Sequence, residues 1–240
     1  MIGNNSDVSR GAEKKLLTEW DTILREEWYS QEEPDEIVIN FAKLLKREKR
    51  KMRVLDLGCG AGRHQIFMTK QGFETHGTDI SSTGLNLTKQ RLKRQNLEVY
   101  LVKCDMKNLP FVESLFDAAI CLHTIYHQKL KGIQETISEI QRVLQKEGSL
   151  LINFLSKRTY SYGKGEKVEE NTFMETEGIE KGILHHFTDE EEIKHLFRNF
   201  NIVNLELSEK DVEGKLRSRW VLTAKTGITL FGHNTMMRQA

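Results

Sequence analysis

Short runs of apolar residues alternate with helical patterns along most of the chain from Met52 onward. Five runs predict strands: "MRVLDLGC", "FETHGTDI", "LEVYLVKCD", "FDAAICLH" and "SLLINFL". The first run is almost continuously apolar, which is typical of a strand buried on both faces. Before the fifth run, Ile133, Ile137 and Ile140 recur at the spacing of an amphipathic helix. This alternation predicts an α/β fold with a doubly wound, mostly parallel sheet.

The pattern changes after Leu155. Residues 156–187 are polar, with glycines and scattered aromatic residues, and a long segment without periodicity is typical of a functional lid. Thr188 and Glu191 then predict a capping box for a helix. Two strand-like runs, "NIVNLELS" and "RWVLTAKT", predict a hairpin that closes the sheet. We therefore expect a helical cap over residues 1–50, a domain over 51–226 that contains the insertion, and a tail over 227–240.

Composition narrows the class of partner. The 36 basic and 35 acidic residues nearly cancel, so no global charge recruits nucleic acid or a membrane surface. No signal-like or membrane-spanning apolar stretch is evident, which favours a cytoplasmic protein without a membrane partner. Cys59, Cys104 and Cys121 have no metal-like spacing and are predicted to be buried thiols.

A glycine-rich loop follows the first predicted strand. Gly58, Gly60 and Gly62 are spaced G-x-G-x-G where a helix begins, so the backbone can turn sharply and approach a ligand closely. A dinucleotide site has its third glycine one residue later. Asp79 ends the second predicted strand about 20 residues further on, where a carboxylate can accept hydrogen bonds from both ribose hydroxyls of an adenosine cofactor.

Two further acids extend the same pattern. Asp105 ends the third predicted strand, where it can accept a hydrogen bond from an adenine amino group while Met106 or Ile80 packs on the ring. Asp56 lies inside an apolar strand, and a buried carboxylate needs a partner. A ligand ammonium or the loop amides are the two alternatives for that partner.

At this point the chain resembles the class I S-adenosylmethionine-dependent methyltransferases of the broad small-molecule type. "VLDLGCGAGRH", "KCDMKNLPF", "FDAAICLHTIYH" and "EIQRVLQKEGSLLI" match the family's motifs in order, with "QKEG" departing from the usual turn. The resemblance implies S-adenosylmethionine as cofactor and a Rossmann-like sheet of seven strands, in the order 3-2-1-4-5-7-6 with strand 7 antiparallel. It implies cofactor contacts from Asp56, Gly58, Cys59, Gly60, Gly62, Asp79, Ile80, Asp105, Met106 and His123.

The residues that contact the methyl acceptor are predicted less directly than those that contact the cofactor. His123, Tyr126 and His127 follow the fourth strand, and we predict that they contact the substrate or act as a base, the alternative being packing over the sulfur end of the cofactor. Weaker substrate candidates, for which ordinary packing or solvation is the alternative, are Trp20, Trp28, Tyr29, Tyr160, His185 and His186. We assign no metal to these histidines, because the sequence does not place their loops.

Other functions stay open at this stage. The basic runs "KLLKREKRKMR" and "KQRLKRQ" would suit an RNA methyltransferase if they formed a phosphate-binding face. A nicotinamide-dependent oxidoreductase is disfavoured by the early third glycine and the second acid. A non-catalytic module that binds S-adenosylmethionine is a further alternative. The sequence favours methyl transfer to a small-molecule acceptor by direct displacement, and it leaves the accepting atom and the oligomeric state open.

Overall fold

A computed structural model describes residues 19–26, 31–48, 51–98 and 100–227. Residues 19–23 are helical. The numbered helices are α1 Glu36–Leu45, α2 Arg63–Lys70, α3 Ser82–Arg94, α4 Leu130–Val143 and α5 Glu190–Leu196. A short 3-10 turn, Lys46–Glu48, follows α1. The strands are β1 Arg53–Leu57, β2 Glu74–Asp79, β3 Tyr100–Lys103, β4 Phe116–Cys121, β5 Leu144–Ser156, β6 Glu166–Glu169, β7 Thr172–Met174, β8 Leu184–Thr188, β9 Phe200–Val212 and β10 Lys215–Thr226.

The central sheet has the predicted order. Strands β3, β2, β1, β4 and β5 are parallel neighbours, and β10 pairs antiparallel with β5 and then with β9. Counting β9 and β10 as strands six and seven gives 3-2-1-4-5-7-6, so both the order and the antiparallel strand are confirmed.

Helices cover both faces of this sheet. Because successive side chains of a strand point to opposite faces, Leu55 and Ala119 join a core with α4 and α5, whereas Val54 and Ala118 join a core with α1. The predicted stripe of α4 is buried in the first core, and a fully buried isoleucine such as Ile133 contributes roughly 1.5–3 kcal/mol. The predicted doubly wound architecture is confirmed.

The insertion adds strands that the sequence analysis missed. Strands β6, β7 and β8 form an antiparallel unit, and β8 joins β5 in parallel through Leu155 and Phe187. The sheet therefore has ten strands instead of seven. The side chains of β6 are exposed or half-buried, so backbone pairing, with little apolar burial, defines this strand.

Two local predictions are corrected. Asp189, instead of Thr188, caps α5 by accepting a hydrogen bond from the Glu192 amide, while the Thr188 hydroxyl donates to the Leu155 carbonyl. The polar stretch between the last two predicted strands lies within a long hairpin that turns at residues 213–214. Within the ranges described above, no helix combines the length and apolarity needed to cross a membrane.

Candidate active site

The site lies where the strand order reverses. β1 and β4 are parallel neighbours at the centre of the sheet, and the loops that follow them open a crevice at their carboxyl ends. A cavity of about 1620 Å³ occupies this position. Pockets for a single small ligand usually measure about 300–1,000 Å³. The cavity is therefore large enough for a nucleoside cofactor and a second molecule.

The glycine loop forms one wall. Gly58, Gly60 and Gly62 all have left-handed backbone angles, with φ of 73°, 51° and 83°. A β-carbon on Gly58 would lie 2.5 Å from Thr124, and one on Gly62 would lie 2.5 Å from Thr88. Both the backbone angle and the lack of space therefore require glycine at these two positions.

Asp79 is joined to this loop. Its carboxylate accepts hydrogen bonds from the Gly60 amide at 2.8 Å and from the Ser81 amide at 2.8 Å. Burial raises the pKa of Asp79, and these amides oppose that effect. Each carboxylate oxygen has two lone pairs, so acceptor capacity remains for hydroxyl groups of a ligand in the cavity.

Most of the predicted cofactor residues line this cavity. Besides the glycines and Asp79, they are Cys59, Ile80, Asp105, Met106 and His123. Burial raises the pKa of the Cys59 thiol well above its usual value, so Cys59 is a neutral packing residue. Asp105 lies two residues after β3 ends, and one of its oxygens accepts a hydrogen bond from the Lys107 amide at 2.9 Å.

Asp56 is located behind the loop and is absent from the cavity wall. It is only 2% exposed, and its Oδ2 has no hydrogen-bond partner among the described residues. Burial raises the pKa of Asp56 to about 6, against the opposing effects of His64 and of the Gln65 backbone amide. The backbone amide that contacts this carboxylate belongs to Gln65 in α2 and not to the glycine loop, and a ligand ammonium as its partner stays a prediction.

His123 is held on both ring nitrogens. Its Nε2 lies 2.6 Å from Asp35 Oδ2, and its Nδ1 lies 3.3 Å from Asn153 Nδ2. Because the amide Nδ2 can only donate, Nδ1 accepts and Nε2 carries the proton that is donated to Asp35. Burial lowers the pKa of His123, although Asp35 opposes this effect. Such an imidazole has no free nitrogen with which to act as a base.

Asp35 is the centre of a charged network. Burial favours a raised pKa, but the hydrogen bond from His123, the nearby His64 and the Arg63 guanidinium hold the pKa of Asp35 well below its usual range. Arg63 Nη1 lies 3.0 Å from Asp35 Oδ1. The network links the start of α1 to the start of α2 and to the loop after β4, and its residues line the cavity.

The other two catalytic candidates also line the cavity. Tyr126 is buried, and burial raises the pKa of its hydroxyl. The His127 ring packs edge-on against Trp20 at 4.8 Å between centroids, and its Nδ1 donates to the Leu184 carbonyl at 3.2 Å. Burial, together with the adjacent His185, lowers the pKa of His127 to about 3. Such a pKa is poorly matched to general-base catalysis near neutral pH.

The remaining substrate candidates separate into three groups. Tyr160 and His185 line the cavity together with Trp20. His186 does not, because its ring contacts Thr172 and Glu192 on the other side of β8. Trp28 and Tyr29 lie outside the described residues.

Several residues of the site were missed by the sequence analysis. Asn153 interrupts the apolar run of β5, and a buried amide within such a run is a detectable signal. Asp35 occupies the N-cap position of α1, yet its side chain makes no capping bond. Arg219, on β10, lines the cavity together with Tyr126, while its Nε is buried and has no partner among the described residues. Nothing in its local sequence singles Arg219 out.

Among the described residues, acids lie beside both basic runs. Arg53 pairs with Glu74 at 2.9 Å, and Lys51 reaches the same carboxylate at 3.7 Å. Arg91 lies 3.6 Å from Glu32. These acids reduce the positive potential of both runs.

Known proteins share this arrangement. Residues 54–148 match the family described as a methyltransferase domain. A putative methyltransferase of Bacillus subtilis, YqeM, is 32% identical over 127 residues, which cover 52% of this chain and 49% of that relative. The chain thus spans about half the length of the curated relatives it matches first.

Solved structures extend the similarity to most of the fold. An S-adenosylmethionine-dependent methyltransferase of Methanosarcina mazei aligns with a TM-score of 0.68 at 21% identity, covering 82% of this chain and 99% of that one. The 1,6-didemethyltoxoflavin-N1-methyltransferase of Burkholderia thailandensis, with bound 1,6-didemethyltoxoflavin and S-adenosylhomocysteine, aligns with a TM-score of 0.67 at 18% identity, covering 95% and 92%.

The matched segment runs from β1 through α4 into β5, and it contains the glycine loop, Asp79, Asp105 and the loop after β4. The strand order and the position of the cavity agree with this match. Residues 54–148 therefore match the methyltransferase domain family, and the chain shares the fold of the solved S-adenosylmethionine-dependent methyltransferase of Methanosarcina mazei.

Proposed function

We propose that this protein is an enzyme that transfers the methyl group of S-adenosylmethionine to a small-molecule acceptor. One observation carries the proposal: the glycine loop, Asp79 and Asp105 line a single cavity at the point where the strand order reverses. About half of the residues that line this cavity lie in the segment that matches the methyltransferase domain. The size of the cavity, about 1620 Å³, is consistent with a cofactor and an acceptor bound together.

The cofactor half of the proposal follows from the donors and acceptors on this wall. Asp79 would accept hydrogen bonds from the ribose hydroxyls, and Asp105 from the adenine amino group, with Ile80 and Met106 against the ring. The left-handed glycines leave backbone space for the methionine portion beside Gly58. The bound S-adenosylhomocysteine of the Burkholderia thailandensis enzyme supports this choice of cofactor.

The chemistry asks little of the protein beyond alignment. A lone pair of the acceptor forms a bond to the methyl carbon while the carbon–sulfur bond breaks. The two electrons of the broken carbon–sulfur bond stay on sulfur, which gives S-adenosylhomocysteine. Where the accepting atom carries a proton, the proton is released to solvent. Because the sulfonium is already activated, positioning in a pocket that excludes water is the main catalytic contribution.

The opposite wall suggests a small, partly aromatic acceptor. Trp20, Tyr126 and His127 provide aromatic surface, and Arg219 offers a buried N–H to an oxygen of the acceptor. The enzyme of the same fold that binds 1,6-didemethyltoxoflavin supports a small-molecule acceptor. The salt-bridged basic runs make an RNA acceptor the weaker alternative.

The test is a calorimetric titration of the full chain with S-adenosylhomocysteine and, separately, with NAD. We expect micromolar binding of S-adenosylhomocysteine alone. Asp79→Ala should weaken it roughly 10–100-fold, because a charged acceptor for ligand hydroxyls contributes about 1.5–3 kcal/mol. Glu74→Gln, on the same strand but paired with Arg53, serves as the matched control and should bind like the wild type.

Methyl transfer is then tested by incubating the protein with S-adenosylmethionine and a panel of phenols, amines and thiols, and measuring S-adenosylhomocysteine release. Release that depends on an acceptor supports the enzyme. Binding without release for the whole panel favours the non-catalytic module and counts against the proposal. Binding of NAD alone would refute it.

A further inference from the structure

A cluster of metal-binding side chains lies on the acceptor wall of the cavity. One potential ligand atom from each of His127, Glu180 and His185 lies within 4.8 Å of the others. The three residues come from the loop after β4, from the insertion and from β8. All three also line the cavity, so an ion bound between them would be accessible to a ligand.

The surroundings of both imidazoles are those of metal ligands. His127 Nδ1 donates to the Leu184 carbonyl, which leaves the lone pair on Nε2. His185 Nδ1 lies 3.1 Å from Glu175 Oε1, and its Nε2 lies 3.0 Å from Glu180 Oε2. A ligating histidine almost always donates its other ring N–H to a carbonyl or a carboxylate, which fixes its tautomer and orientation.

Charge and burial agree with a dication. His185 is only 7% exposed and His127 is partly buried, and two carboxylates, Glu175 and Glu180, contact His185. Two anionic carboxylates, each about a quarter exposed, beside two neutral imidazoles balance the charge of one divalent ion. A protonated His185 that bridges both glutamates is the competing arrangement, and it needs no metal.

We infer that His127, Glu180 and His185 bind one divalent transition-metal ion, with Glu175 orienting His185 from outside the coordination sphere. Two imidazoles and a carboxylate suit borderline ions such as Zn²⁺, Fe²⁺ and Co²⁺. Three protein ligands leave a coordination position open to the cavity. If the proposed function holds, the open coordination position would bind an oxygen or nitrogen atom of the acceptor; this part of the inference rests on that function.

The test uses the full chain after treatment with a chelator. Co²⁺ is titrated and followed by its visible absorption, and Zn²⁺ is titrated by calorimetry. We expect one equivalent of each ion per chain. His127→Gln, His185→Gln and Glu180→Gln should each weaken binding at least about 10-fold, because each removes one of three ligands.

His186→Gln is the matched control, since this buried histidine neighbours His185 on β8 but contacts Thr172 and Glu192 away from the cluster. It should bind Co²⁺ like the wild type. Thermal melting identifies any variant that fails to fold. The half-buried Glu180, changed to its near-isosteric amide, keeps the test decisive if a histidine variant unfolds.

Two results would overturn the inference: no uptake of either ion by the wild type, or undiminished uptake by both the His127 and the His185 variants. A parallel titration of the metal-free protein with S-adenosylhomocysteine separates this inference from the proposed function. Cofactor binding without metal uptake refutes only the metal site. Metal uptake without cofactor binding refutes only the methyltransferase proposal.

Discussion

Asp35 Oδ2 lies 2.6 Å from His123 Nε2, which joins the start of α1 to the loop after β4 across 88 residues of sequence. His123 itself has a left-handed backbone, with φ of 59°. A residue other than glycine adopts this left-handed backbone conformation only when its surroundings hold it there. Asp35 and Asn153 provide those surroundings, so the acceptor end of the cavity depends on contacts far apart in sequence.

Asp35→Asn should destabilise the protein by about 1–3 kcal/mol, because it converts charge-assisted hydrogen bonds to neutral ones and leaves Arg63 without its anion. Urea unfolding at pH 7 measures the change. Glu36→Gln, the exposed neighbour in the first turn of α1, should change stability by less than about 0.5 kcal/mol.

The pH dependence of that difference follows from the depressed pKa of Asp35. The stabilisation is present above the ordinary pKa near 4 and is lost as the pH falls below it, because protonation then accompanies unfolding. The gap between wild type and Asp35→Asn should therefore narrow below about pH 4. A gap that stays constant between pH 7 and pH 3 would contradict the charge-assisted role of Asp35.

Asn153→Leu should cost about 1–3 kcal/mol, since it leaves the His123 backbone N–H without its acceptor at 2.8 Å. The two side chains are similar in size, so the loss reports the hydrogen bond more than the packing. Asn204→Leu, at an exposed position on β9, should stay within about 0.5 kcal/mol of wild type. Equal unfolding midpoints for the two variants would remove Asn153 from the support of His123.

The sequence predicts most of the central sheet because each of its strands is recognised locally, from its own apolar residues. The strands of the insertion were not predicted in this way, because Glu166–Glu169 is polar and becomes a strand only by pairing with Thr172–Met174. The same limit applies to the site. Local motifs identify Asp79 and the glycines, whereas the approach of Glu180 to His127 depends on how the insertion folds over the cavity.

Gly62→Ala tests how closely the glycine loop packs on α3. The left-handed angle alone costs an alanine about 1–2 kcal/mol, and its β-carbon would also lie 2.5 Å from Thr88. Gly72→Ala has a similar angle but nothing within 4 Å, so it carries the conformational cost alone. The larger loss should belong to Gly62→Ala, together with weaker binding of S-adenosylhomocysteine. Equal losses in urea unfolding would show that Thr88 moves aside freely.

The stability of the Asp56→Asn variant relative to wild type should increase as the pH rises. Burial raises the pKa of Asp56 to about 6, while His64, Arg63 and Asp79 modify that value. In the unfolded chain its pKa is near 4, so the folded state binds the extra proton, and wild-type stability falls as the pH rises from about 4 through 6. An asparagine cannot ionise and escapes this loss.

The comparison is made without cofactor, by urea unfolding at pH 5 and pH 8. Relative to wild type, Asp56→Asn should gain about 1–2 kcal/mol between these two values. Glu113→Gln, at an exposed position, should show no such gain. A difference between wild type and Asp56→Asn that is the same at both pH values would mean that Asp56 is ionised throughout, and that the Gln65 amide and His64 compensate its charge fully.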